Sequence, residues 1–119
     1  MGYESRLYVV DKHEKFSCED RCWGEIIVMI NLCTVYGVSS KMRKYPETDC
    51  YIYASDGNTH IVEDLYDEVM SEIPIDDAIK IIEEASKKDD YRRYAPCLAL
   101  LKSFDKSQWK NLVVLHYGY

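Results

Sequence analysis

The run Ile26-Ile-Val-Met-Ile30 narrows the choice of folds more than any other stretch of this chain. It lies in a near-continuous apolar segment, Glu25 to Tyr36, where Asn31-Leu-Cys-Thr-Val-Tyr follows it. β-Branched side chains lose rotamer freedom in a helix and pack well on a pleated surface, so the run reads as a strand. Continuous rather than alternating apolarity suits a central strand buried on both faces. Periodicity alone leaves a buried helix open, and a helix over Ile26–Val35 would overturn the sheet order read here. The run is far short of the roughly 20 apolar residues that a membrane helix needs.

Other strands gather around it. Arg6-Leu-Tyr-Val-Val10 is aromatic and β-branched, and Leu112-Val-Val-Leu115 runs on into His116-Tyr-Gly-Tyr119. Cys50-Tyr-Ile-Tyr-Ala54 is a short strand, closed by the turn signal Asp56-Gly57 and paired with His60-Ile-Val62 as a hairpin. Asp11–Gly24 reads as a polar loop and Gly37–Pro46 as a basic one. From Pro74 the period changes: Ile75, Ala78, Ile79 and Ile82 recur at helical spacing, with Asp76 and Asp77 at the start and Lys87 and Lys88 at the end. Proline at a first helical position and those charges at the dipole ends predict a helix near Ile75–Lys87. A second follows over Tyr91–Phe104, with Leu98, Leu101 and Phe104 inward, provided Pro96 falls in its first turn.

Strands, two helices, then a strand predict an α+β fold: a mostly antiparallel sheet with two helices packed on one face. The strands at Arg6–Val10 and Leu112–Tyr117 should share that sheet. The expected core is Leu7, Val9, Ile27, Met29, Ile79, Ile82, Leu98, Leu101, Val113 and Leu115. With 119 residues, 47% of them hydrophobic, and only three prolines and five glycines, the chain reads as one domain over residues 1–119. Its start, Met1–Val10, carries Glu4 and Arg6 and does not read as a signal peptide. The odd, scattered set Cys18, Cys22, Cys33, Cys50 and Cys97 then reads as reduced thiols of a cytoplasmic protein.

Charge is segregated. Tyr45–Ile79 contains no lysine or arginine and ten acids, Glu47, Asp49, Asp56, Glu63, Asp64, Asp67, Glu68, Glu72, Asp76 and Asp77. The chain's net charge is −6, so the flanks of that stretch sum to +4. Three readings compete: a solvated acidic face, a surface for a basic partner, and a divalent-cation site. A calcium loop opening at Asp56 fails at its sixth position, where Ile61 stands in place of glycine. Direct DNA binding by this stretch is not expected, because phosphates and carboxylates repel. If it binds a partner, Glu63, Asp64, Asp67, Glu68, Glu72, Asp76 and Asp77 are the residues expected to do so.

Chemistry-bearing patterns are sparse. His13, Cys18 and Cys22 could wrap a zinc ion with a fourth ligand from Cys50, His60 or His116, but their spacing is not a standard ligand pair. They are weak candidates, and no metal or cofactor is expected. Tyr91-Arg92-Arg93-Tyr94 could hold an anion or stack on a base, or its arginines could pair with acids of the preceding helix. Ser103-Phe-Asp-Lys106 matches a short acyl-transfer pattern without its companion motifs. No phosphate loop or zinc-protease motif is present, and the expectation is a protein that is not an enzyme. Eleven tyrosines and two tryptophans suit either strands or a contact surface.

Met1-Gly-Tyr-Glu-Ser-Arg-Leu-Tyr-Val-Val10, with Tyr91-Arg-Arg, Leu98 to Phe104, Gln108-Trp109 and Leu115-His-Tyr-Gly-Tyr119 towards the other end, resembles a group of small proteins of phages and prophages of Gram-positive bacteria. The likeness is concentrated at the two ends and carries no site residues with it. It implies a small accessory protein in the bacterial host cytoplasm that acts by binding, as anti-CRISPR inhibitors of defence nucleases do. An acidic, tyrosine-bearing domain would complement the basic nucleic-acid channel of such a nuclease. The alternatives are a binder of a small phosphorylated ligand, held by Arg92 and Arg93, and a minor structural or assembly factor of the phage particle. Oligomeric state is open.

Overall fold

A computed structural model describes residues 5–13, 23–33, 36–47, 51–53, 60–61, 70–105 and 107–118. In chain order these form β1 (Ser5–His13), β2 (Trp23–Cys33), α1 (Tyr36–Met42), β3 (Tyr51–Tyr53), β4 (His60–Ile61), β5 (Ser71–Pro74), α2 (Ile75–Lys88), α3 (Tyr94–Lys102) and β6 (Leu112–Gly118). The strands make one sheet in the order β4-β3-β2-β1-β6-β5. Every neighbouring pair is antiparallel except β2 with β3. The α+β architecture read from the sequence is the one observed, with β1 and β6 adjacent.

Alternation explains why β1 takes the centre. Its Leu7 and Val9 face the helices, Tyr8 and Val10 face the other way, and all four are buried. On the helix side Leu7 and Val9 meet Leu32 of β2, Val38 and Met42 of α1, Ile73 of β5, Ala78 and Ile82 of α2, Cys97 and Leu101 of α3, and Val114 of β6. On the opposite side Tyr8 and Val10 pack with Met70 and Leu115. Fully burying an aliphatic side chain of this size contributes roughly 1.5–3 kcal/mol, so the helix-side cluster dominates stability.

The strand buried on both faces is therefore β1, not β2. The Ile26–Ile30 run is a strand as read, but only its even-numbered residues are drawn inward: Val28, Ile30 and Leu32 pack in the helix-side cluster. Ile27 and Met29, expected in the core, are 36% and 49% exposed. A register shift contributes: Val9 pairs with Val28 but Val10 with Ile26, which leaves Ile27 without an opposite residue on β1. Leu7, Val9, Ile82, Leu101 and Leu115 are buried as expected, and Ile79, Leu98 and Val113 are half-buried.

Two further corrections concern local structure. Gly37–Pro46, read as a loop, contains α1, whose Val38 and Met42 stand one turn apart and point into the core. The described residues thus hold three helices. Pro74 ends β5 and precedes α2 rather than opening it, while Asp76, Asp77, Lys87 and Lys88 fall at the helix ends as expected. In α3 the inward stripe is Tyr94, Cys97 and Leu101, with Leu98 and Phe104 half-buried, and Pro96 sits in the first turn where its missing N–H costs nothing.

Candidate functional site

The junction of β5 and α2 collects the described part of the acidic stretch. Glu72 points from β5 to the sheet face opposite the helices, where its carboxylate pairs with Lys12 of β1 at 2.6 Å. Asp76 is exposed in the first turn of α2, a place that negative charge stabilises. Asp77 accepts a hydrogen bond from the Tyr45 phenol at 3.2 Å. Burial, with the Asp77 carboxylate adding to it, holds that phenol above its ordinary pKa. Glu47 is exposed nearby, because a bridge between Glu47 and Ser71 ties residues 46–47 to β5. Between them lies an open groove of about 430 Å³ lined by Tyr45, Pro46, Glu72, Pro74 and Asp76. A second groove of about 560 Å³ shares Ile75, Asp76 and Leu112 with it and is walled by Phe104 and Trp109, stacked edge to face at 5.8 Å, with Lys102 and Lys110 on its rim. Glu63, Asp64, Asp67 and Glu68 lie outside the described residues.

In the Tyr91–Tyr94 patch two side chains hold backbone carbonyls of β2. Tyr91 donates its hydroxyl to the Leu32 carbonyl at 2.8 Å, and Arg93 donates Nη1 to the Asn31 carbonyl at 3.1 Å. Tyr91 and Tyr94 meet edge to face at 5.2 Å. The patch fastens the α2–α3 connection to the end of β2. Arg92 is exposed. Of the metal candidates, His13 is the last residue of β1, paired with Trp23, while Cys18 and Cys22 lie outside the described residues. Among the described residues no three histidine, cysteine or acidic groups cluster as a metal site.

Two clusters were not anticipated. Ser5, Ser39 and His116 form a buried polar chain: the two serine hydroxyls hydrogen-bond, and His116 Nε2 lies 3.3 Å from Ser5 Oγ. It joins β1, α1 and β6, residues separated by 34 and 111 positions, so no local pattern announces it. The alternation Leu112, Val114, His116 does place His116 on the helix side. On the other face, Arg6 donates Nη1 to the Tyr8 hydroxyl at 3.2 Å and lies 5.5 Å from the Tyr117 ring centroid. Cys97 is buried, which pushes its thiol pKa up to about 12.

No family model, no curated protein and no solved structure matches this chain.

Proposed function

We propose that this chain is a non-catalytic, phage-type accessory protein that acts in the bacterial host cytoplasm by binding a protein with a basic surface. A defence nuclease, held at its nucleic-acid channel in the manner of an anti-CRISPR inhibitor, is the partner class. One observation carries the reading: Glu72 and Asp76 line a groove that Tyr45 also lines, with Asp77 bonded to the Tyr45 phenol and Glu47 bridged to β5. Carboxylates beside an aromatic ring are suited to receive a guanidinium or ammonium group, by charge-assisted hydrogen bonds and cation–π attraction. The Ser5–His116 pair is sealed in the core and the Cys97 thiol stays protonated, which supports binding over catalysis.

The test is capture from host lysate followed by association kinetics on the captured protein. Glu47→Lys with Asp76→Lys should slow association at least tenfold at low salt with the fold intact, since exposed charges contribute little to stability. For the parent chain, association should weaken as the screening length falls from about 10 Å at 0.1 M to about 3 Å at 1 M. Arg92→Glu should change little. Loss of binding on Arg92→Glu alone, with the acidic reversals silent, would replace this reading with the anion-binding one.

A further inference from the structure

The acidic groove does not end at Asp76. The larger groove beside it, about 560 Å³, shares Ile75, Asp76 and Leu112 with it, so the two are halves of one trough around the start of α2. Their chemistry differs. Ile79, Leu101, Phe104 and Trp109 make the second half apolar, and its two aromatic rings, both half-buried, meet edge to face at 5.8 Å. Backbone bonds fix the approach to Trp109. The Asp105 carbonyl accepts the N–H groups of Gln108 and Trp109 at 3.0 and 2.9 Å, and the Asp105 carboxylate accepts that of Ser107 at 2.9 Å. The aromatic wall is therefore in place before anything binds, which lowers the ordering cost that an incoming side chain must meet. Lys102 and Lys110 stand on the rim of this half, Lys102 paired with Glu83 at 3.7 Å.

We infer that the apolar half receives an aromatic side chain from the same partner segment whose basic residue enters the acidic half. Aromatic anchors seated in well-formed pockets carry most of the energy of a protein contact, while charge at the margin fixes register. Charge decides which residue goes where in this trough. The Glu72 and Asp76 carboxylates line the Tyr45 half and attract a cation to it. The two lysines repel a cation from the other half and leave it to a neutral ring. Side chains two positions apart in an extended segment share a face and lie about 7 Å apart. A basic and an aromatic residue with one or two residues between them therefore reach both halves at once. The inference rests on the reading of the β5–α2 junction as a surface for a basic partner, and it adds that partner's second anchor and its spacing.

The probes are two blocked heptapeptides of glycine and serine that carry one arginine and one phenylalanine, separated by one residue or by two. Binding to the full chain is read by NMR at the Glu72 amide, in the acidic half, and at the Trp109 indole N–H, in the apolar half. At least one peptide should shift both signals. Replacing its phenylalanine by alanine should weaken binding about tenfold and abolish the Trp109 shift, a comparison that leaves the protein unaltered. Phe104→Ala should weaken the phenylalanine peptide to the level of the alanine peptide and leave the alanine peptide unchanged, whereas damage to the fold would weaken both. Asp76→Lys should weaken the phenylalanine peptide about tenfold. Equal affinity of the phenylalanine and alanine peptides, with the Glu72 shift kept, overturns the inference and leaves the acidic junction standing. A Trp109 shift indifferent to Asp76→Lys and to loss of the peptide's arginine overturns both. No response at millimolar peptide overturns the inference, as does a stronger response to benzoate, which would make the groove a site for small acids through Lys102 and Lys110.

Discussion

The two flanks of the sheet are finished differently. On the β5 side the last strand has four residues, ends in Pro74, and gives its Glu72 N–H to the Pro46 carbonyl at 2.8 Å. Proline has no donor, and a bonded loop removes another, so little of that edge remains to pair. On the β2 side an eleven-residue strand pairs with the three-residue β3 and carries Ile27 and Met29 exposed. One flank is closed by a proline and a bonded loop, while the other exposes large apolar side chains.

Stability measurements sharpen that contrast. The largest effect is expected from Ile73→Ala, which empties a fully buried position on β5 and should cost about 2–5 kcal/mol in urea unfolding. Met29→Ala, at an exposed position of β2, should stay within about 0.5 kcal/mol. Equal costs would mean that Met29 is packed rather than exposed. Next in size is Ser39→Ala, which leaves Ser5 with one partner fewer in a buried chain and should cost about 1–3 kcal/mol. Ser71, opposite His116 on the β5–β6 ladder, makes this network part of the closed flank, so the loss should also speed amide exchange in β5. The smallest effect at neutral pH concerns Cys97. Its folded pKa is raised to about 12 from an ordinary value of 9.0, so the protonated thiol favours the folded state. That contribution is whole below about pH 9 and is lost progressively as pH rises towards 12. Cys97→Ala should flatten this part of the stability profile, while neutral-pH thiol reagents should modify Cys97 only in the unfolded chain.

Legibility in the sequence followed the strength of local periodicity. β1, β6 and α2 were readable because their apolar spacing and end charges agree with one period each. The strand character of β2 was readable from its β-branched run, but its exposure was not. Val28 and Ile30 face the helices, so Met29 faces the opposite side of the sheet, and which face the helices cover is set by the tertiary packing rather than by the run itself. α1 was hidden because Gly37, Ser39 and Ser40 weaken helix propensity, and only the packing of Val38 and Met42 holds it. β5 was hidden because its four residues run directly into α2. The acidic junction was foreseeable at Glu72, Asp76 and Asp77. Its groove required Tyr45 to be brought 32 positions along the chain to Asp77.

The pairing of β1 with β6 bears on how the chain is made. Ser5 lies opposite Gly118 and Asp11 opposite Leu112, so the centre of the sheet joins residues more than a hundred positions apart. Contacts of such long range slow folding, because loop closure must precede any gain from the pairing. During synthesis, β1 and β2 can meet early as a hairpin-like pair, yet one side of β1 stays bare until residues 112–118 have left the ribosome. Until then Tyr8 and Val10 lack Leu115, and Leu7 and Val9 lack Val114. The nascent chain therefore passes through an interval in which the strand that is buried on both faces of the finished sheet is accessible to holdase chaperones, and the synthesis of β6 ends that interval.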